Sequence, residues 1–192
     1  MNIIARPYGS DLCYCRPDTT WEREDKDLYS PEGVCSWNWA PVLFARISKA
    51  GKCIGEKFAS RYYDGVNFGM LMYTATNNRE TLPIAFSSCA DHSSRLPLPL
   101  FNPVVLEQAG NTFVLHMNGT VVFSAETSET LKKLVEDTIC KASEFISLRI
   151  GDLVAVELAS PDTLPVLKAA EGGISVKGEF CNRTTLTFDI IF

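Results

Sequence analysis

Apolar and polar positions alternate along much of this chain, or gather in short apolar runs, and that pattern predicts strands. Residues 2–5 form a first apolar run, broken by Pro7 and Gly9. Leu12 to Cys15 forms a second, ended by Arg16-Pro17-Asp18. From Trp37 to Ile47 the pattern is clearest. Trp37, Trp39, Leu43 and Ile47 share one face of a strand, and Asn38, Ala40, Val42 and Phe44 share the other. Both faces are mainly apolar, which predicts burial on both sides. Pro41 has no N–H for a ladder and predicts an edge position or a bulge.

Val66 to Ala75 predicts another strand, with Gly69 inside it, and Asn77-Asn78-Arg79-Glu80 a turn. Thr112 to Met117 and Thr120 to Phe123 flank Asn118-Gly119, the residue pair of a type I′ hairpin, because both tolerate positive φ. Arg149 to Asp152 turns into a strand over Leu153 to Leu158. Ile174 to Gly178 and Leu186 to Phe192 complete the strands.

Helical spacing is rarer. One long helix is predicted over about Ser128 to Phe145, with Leu131, Leu134, Val135, Thr138, Ala142 and Phe145 in a single stripe. Glu56 to Asp64 predicts a short helix with Phe58 and Tyr62 on one face. The charged run Glu22 to Asp27 predicts a solvated loop or hairpin tip. Together these elements predict a mainly β (α+β) fold, a single domain over residues 1–192.

Composition narrows the function classes. The chain is 46% hydrophobic and 21% charged, with a formal net charge of −5. The absence of a basic patch argues against a nucleic-acid partner. No apolar run approaches the ~18–20 residues of a membrane helix. Met1 to Pro7 has neither a basic segment nor an apolar core of the secretory kind. Seven cysteines, an odd number, then predict reduced thiols and a cytoplasmic protein. Cys13-Tyr14-Cys15 is spaced C-x-C rather than C-x-x-C, and a zinc site there would need two more clustered ligands while the chain's two histidines, His92 and His116, lie far apart, so free thiols are the expectation.

Searches for catalytic motifs come back empty. There is no phosphate-binding glycine loop, dinucleotide fingerprint, nucleophile elbow or His-Glu-x-x-His. His92 lies close in sequence to Ser88, Cys89, Asp91, Ser93 and Ser94. A metal-independent site built on Ser88, Asp91 and His92, with Cys89 as a further nucleophile, is the one catalytic alternative these residues offer.

An ordered set of short elements resembles the fumarylacetoacetate hydrolase family. Arg16-Pro17-Asp18-Thr19-Thr20 is similar to its Lys-Pro-Asp-Thr-Ala element. Leu28 to Lys52 resembles its strand carrying His-Tyr-Glu-x-Glu-Leu and the Gly-Lys turn that follows. Glu56 to Ala59 with Tyr62-Tyr63-Asp64 resembles its short helix. Asn118-Gly119, the long helix and Leu148-x-x-Gly151-Asp152 keep the family's order.

The resemblance implies a rolled mixed β-sheet and a homodimer. It also implies Mg²⁺ or Mn²⁺ held by three carboxylates, for cleavage, decarboxylation or isomerisation of β-diketo and 2-oxo acids. The positions in this chain depart from that chemistry. The register set by Pro31 and Gly51-Lys52 puts Asn38 at the family's His, and Ala40 and Val42 at its first two carboxylates. Leu71 falls at the third, and Ala75 and Thr76 at an Arg-Asp pair. Ser88 falls at the active-site Lys, with Asp91 kept. Val156 to Ala159 replaces a Thr-Gly-Thr-Pro loop. The Ala5 to Arg16 interval holds no His or Glu and is shorter than the family's catalytic lid.

The expectation is a non-catalytic protein without a metal cofactor. Arg16, Asn38, Ala40, Val42, Leu71, Ala75, Thr76, Ser88 and Asp91 would line a vestigial pocket. Such a protein would be kept for binding, assembly or regulation, as a homodimer, as a mixed dimer with an active relative, or as a receptor for a small organic acid. The alternative is a hydrolase, isomerase or decarboxylase of the same substrates with altered, metal-independent chemistry.

Overall fold

The structure, a computed structural model, describes residues 1–76, 84–169 and 173–192. The strands are β1 (Ile3–Arg6), β2 (Tyr14–Arg16), β3 (Trp21–Glu22), β4 (Leu28–Tyr29), β5 (Val34–Ile47), β6 (Tyr63–Thr76), β7 (Ser94–Arg95), β8 (Thr112–Met117), β9 (Thr120–Glu126), β10 (Leu153–Glu157), β11 (Leu167–Lys168), β12 (Ile174–Phe180) and β13 (Arg183–Ile191). Helix α1 is Ile84–Ser87 and α2 is Glu129–Phe145. The described residues are therefore mainly β, in two mixed sheets, with one long helix. No described helix is long and apolar enough to cross a membrane.

The backbone of the fold is the antiparallel pair β5–β6, 14 residues each, in register from Val34↔Thr76 to Ile47↔Tyr63. The larger sheet runs β2-β1-β10-β5-β6-β7-β3, with β11 also on β5. The smaller runs β4-β13-β12-β8-β9. The two faces of β5 part as the alternation predicts. Trp37, Trp39, Leu43 and Ile47 enter a core shared with the smaller sheet and α2. Ala40, Val42 and Phe44 enter a second cluster with Ile3, Ala5, Leu71, Tyr73, Leu96, Leu153 and Ala155. Tyr14 on β2 and Trp21 on β3, from opposite ends of the sheet, both pack on this second cluster, so the sheet curls around it. Aromatic rings join the sheets: Phe68 on β6 stacks on Phe113 of β8 at 4.8 Å between centroids and meets Phe180 of β12 edge-on at 4.8 Å.

Local choices explain several elements. Gly69 on β6 is required: a Cβ there would sit 2.3 Å from the Arg95 carbonyl oxygen of β7. Asn118 and Gly119 take φ of 49° and 76°, as the hairpin needs. Helix α2 starts where the Ser128 side chain accepts a hydrogen bond from Leu131 N.

Four expectations are corrected. Pro41 is at neither an edge nor a bulge, for β5 is central. Its carbonyl accepts from Leu158 N, 2.9 Å, so its nitrogen faces the gap where β10 has ended and β11 has not begun. Phe145 is 73% exposed because it ends α2 beyond the packed stripe, and Phe58 is 41% exposed because the short helix buries Ala59 instead. Residues 56–61 form a 3-10 helix rather than an α-helix. Asp25 and Asp27 of the charged run do more than meet solvent: their carboxylates accept from Thr187 N and Asp189 N, capping the edge of β13. The predicted turn at 77–80 lies outside the described residues.

Because Phe113 carries the ring contact between the sheets, Phe113→Ala is expected to destabilise the fold by about 3–5 kcal/mol, read from urea unfolding as a lower midpoint with an unchanged m-value.

Candidate functional site

The Arg16-Pro17-Asp18-Thr19-Thr20 element is the organiser. Pro17 ends β2 and starts a 3-10 turn, and Thr20 Oγ1 hydrogen-bonds Pro17 O and Ser94 Oγ, both at 2.7 Å. Arg16 is 2% exposed. Its Nε donates to Ser94 Oγ (2.8 Å), and its Nη2 to Ser93 Oγ (2.8 Å) and Met72 O (2.9 Å). Its guanidinium lies 5.1 Å from the centre of the Tyr73 ring, a cation–π contact. A buried cation of this kind is costly unless its donors are met.

From Arg16 a chain of polar contacts runs along the curled sheet. Arg16 Nη1 approaches Tyr14 OH at 3.5 Å, Tyr14 OH and Tyr73 OH are 2.8 Å apart, and Tyr73 OH donates to Glu157 Oε1. Tyr8 N donates to Glu157 Oε2 at 2.9 Å. Glu157 is 3% exposed, and burial pushes its carboxyl above the usual glutamate range. Burial likewise pushes the Tyr73 and Tyr14 hydroxyls upward. Glu157 ends β10 in phase with Leu153 and Ala155, so strand periodicity delivers an acid to the apolar side of the sheet. Above this chain opens a cleft of about 450 Å³, lined by Asn38, Tyr73, Glu157, Tyr8, Pro7, Ile84, Ser87, Ser160, Pro161 and Asp162.

The resemblance sets carboxylates at Ala40, Val42 and Leu71, and the chain sets apolar side chains there instead, packed in the second core cluster rather than lining the cleft. Ala40 is the register partner of Leu71 on the neighbouring strand, and Ala40, Val42 and Leu71 are all 0% exposed in the second core cluster. Mg²⁺ and Mn²⁺ require hard oxygen ligands. These three positions supply none, and no group of three His, Cys, Asp or Glu among the described residues is placed to hold an ion. The residues present do not fit the metal.

The remaining residues named from sequence scatter. Asn38, half-buried, lines the cleft beside its register partner Tyr73. Ala75 offers its backbone, with its carbonyl accepting from Cys35 Sγ at 3.4 Å. Thr76 ends β6, and its side chain lies outside what is described. Ser88 is buried, with its hydroxyl on Ala85 O at 3.4 Å, and Cys89 is exposed with its thiol on the same carbonyl.

Asp91 and His92 line a different cleft of about 610 Å³, together with Glu22, Asp25, Lys26 and Asp27. There His92 Nδ1 pairs with Glu22 Oε2 at 2.9 Å, and His92 takes φ of 60°. Ser88 and His92 are thus held by different partners. Glu157 and Tyr73 were missed from sequence. The available signal was an acid and a phenol in phase with the buried positions of their strands.

Comparison with known proteins supports the fold. No protein-family model matches the sequence, and no curated protein matches it. Solved structures do. Fumarylpyruvate hydrolase from Pseudomonas aeruginosa, in complex with Mn²⁺ and pyruvate, is 16% identical with a TM-score of 0.72, over 100% of this chain and 96% of that one. 5-Carboxymethyl-2-hydroxymuconate delta-isomerase from Mycobacterium smegmatis is 15% identical with a TM-score of 0.76, over 99% and 78%. Maleylpyruvate hydrolase from Sphingobium sp. SYK-6 is 16% identical with a TM-score of 0.71, over 99% and 70%. The chain therefore has the fold of fumarylacetoacetate hydrolase family proteins, as the sequence resemblance implied.

A carboxyl whose folded-state pKa lies above its unfolded value is stabilised as the neutral acid. Its cost to the fold is complete above the folded pKa and fades as pH falls toward the ordinary glutamate range. The melting temperature of Glu157→Gln relative to the unsubstituted protein is therefore expected to be higher at pH 8 than at pH 5, measured by thermal melts of both proteins across that window.

Proposed function

We propose that this chain is a non-catalytic protein of the fumarylacetoacetate hydrolase fold, without a metal cofactor, retained for binding or assembly. The observation that carries the reading is the apolar layer of Ala40, Val42 and Leu71, fully buried where metal chemistry would need oxygen ligands. Three unpaired buried carboxylates would repel one another and cost several kcal/mol without an ion. Apolar side chains remove that cost and the chemistry together. The homodimer, or a mixed dimer with an active relative, is the assembly this reading expects.

A second reading rests on the buried Tyr73–Glu157 pair at the cleft. A carboxyl that burial favours as the neutral acid, hydrogen-bonded to a phenol at a cleft, is the kind of group that can serve as a general acid. In that reading the chain is a metal-independent hydrolase, isomerase or decarboxylase of β-diketo or 2-oxo acids, in line with the reactions for which the structural neighbours are named.

Calorimetric titration of metal-stripped protein with Mn²⁺ and with Mg²⁺ is expected to give no saturable binding up to millimolar, and acylpyruvates are expected to remain intact in its presence. Saturable binding near micromolar would overturn the metal-free reading. Turnover that persists with a chelator and disappears in Tyr73→Phe and Glu157→Gln would establish the second reading in place of the first.

A further inference from the structure

We propose that the end of the molecule built from residues 46–64 and 143–151 docks on an anionic membrane surface, with Phe145 and Ile150 entering the headgroup layer amid lysines and arginines. The proposal uses no residue of either cleft and stands apart from the reading above.

The fold joins this end from two segments far apart in sequence. Gly51 and Leu148 exchange backbone hydrogen bonds of 3.1 and 2.8 Å. Gly151 N donates to Ile47 O at 2.8 Å, and Cys53 N to Ser143 O at 2.9 Å. Ser48 N donates to Tyr62 O at 2.8 Å, which ties the 3-10 helix to the same turn. Lys52 Nζ donates to Phe145 O at 2.7 Å, a cation at the C-terminus of α2. The other end of the β5–β6 ladder, where Val34 pairs with Thr76, lies roughly 40 Å away at about 3.3 Å per residue.

Apolar exposure is the first argument. Phe145 and Ile150 are 73% and 72% exposed, and Phe58 on the 3-10 helix is exposed as well. Phe145 ends a helix and Ile150 sits in a turn, so both stand out from the fold. Large apolar side chains gathered in water mark a surface that meets a partner.

Charge is the second. The two segments hold Arg46, Lys49, Lys52, Lys57, Arg61 and Arg149, all exposed, against Glu56, Asp64 and Glu144, in a chain whose formal net charge is −5. Arg46 pairs with Asp64 at 3.0 Å, and among the described residues the other five cations have no acid within 4.0 Å. The sequence shows no basic run here. The pairing of the two segments makes the cluster.

The placement of the cations is the third. Lys57 Nζ and the Arg61 guanidinium lie 5.0 and 5.4 Å from the centre of the Phe58 ring, and Lys49 Nζ 5.1 Å from that of Tyr62. A bilayer interface suits this arrangement, with apolar groups at the acyl boundary and long cationic side chains reaching back to the headgroups. Anionic lipids attract such cations within a Debye length. A protein partner would need a matching apolar pocket, whereas a lipid surface accepts protruding side chains without one. A nucleic-acid backbone would supply the charge and leave Phe145 and Ile150 in water.

The test is co-sedimentation of the full chain with phosphatidylcholine vesicles, with and without about one third phosphatidylserine. The expected result is binding roughly tenfold or more tighter to the phosphatidylserine vesicles, lost at high salt. Phe145→Ser combined with Ile150→Ser is expected to weaken it by about tenfold, and so is Lys49→Gln combined with Lys57→Gln and Arg61→Gln. All five side chains are exposed, so both variants are expected to fold. Lys168→Gln, on β11 at the far end, is expected to leave binding unchanged.

The proposal is overturned if neither vesicle binds, if the two bind alike, or if either folded variant binds as tightly as the unsubstituted protein. Binding of poly-L-glutamate as tight as that of the vesicles would assign the cations to an acidic protein and overturn it too. So would a dimer in sedimentation velocity that Phe145→Ser with Ile150→Ser dissociates, for the patch would then be a subunit interface.

Discussion

The Arg16 guanidinium closes the larger sheet. It leaves β2, near one end of the strand order, and reaches side chains on or beside β7 and a carbonyl of β6, on the far side of the same sheet. Backbone ladders alone would hold the strands as an open, twisted layer. One cation with its donors met from both sides draws the layer into a curl, and the curl creates the second core cluster. The cluster in turn gives Tyr73 and Glu157 a dry side to face. Much of what is chemically notable in the molecule follows from one buried charge needing partners.

On the proposed metal-free reading, that curl supplies the charge balance that an ion would otherwise provide. Metal ions in such sites neutralise converging acids. Here the convergence is between an arginine and a single glutamate, bridged by two phenols, and the strand positions nearest the centre are apolar. The charge balance is internal to the chain. Around it the polar groups sort into two separate clefts, one at Glu157 and one at the His92–Glu22 pair, so residues close in sequence near His92 act on different surfaces.

Much of the architecture was legible in the sequence because strand and hairpin periodicities are local. The two faces of β5, the Asn118-Gly119 turn and the Ser128 start of α2 all follow from neighbours along the chain. What was not legible depends on contacts far apart in sequence. Pro41 reads as an edge residue until the gap between β10 and β11 is seen. Asp25 and Asp27 read as solvated until β13 arrives beside them. In the candidate site, the register placed Ala40, Val42 and Leu71 in one layer, which pairing alone can reveal. It said nothing of Glu157, because an acid at the end of an apolar strand looks like a strand terminus until the curl covers it. The Ser88, Asp91 and His92 grouping rested on sequence proximity, and a left-handed backbone at His92 turns that residue toward Glu22.

The apolar layer has an evolutionary corollary. A chain of this design cannot acquire three metal-binding acids one at a time. The first carboxylate placed at Ala40, Val42 or Leu71 would stand alone in a dry cluster, with no ion able to bind through it, and the fold would bear its full desolvation cost. The second would add repulsion, and only the third would open the way to a metal. Each intermediate is less stable than the last. On the proposed reading, the packing that fills this space therefore acts as a ratchet, making a metal-free condition far easier to enter by single steps than to leave.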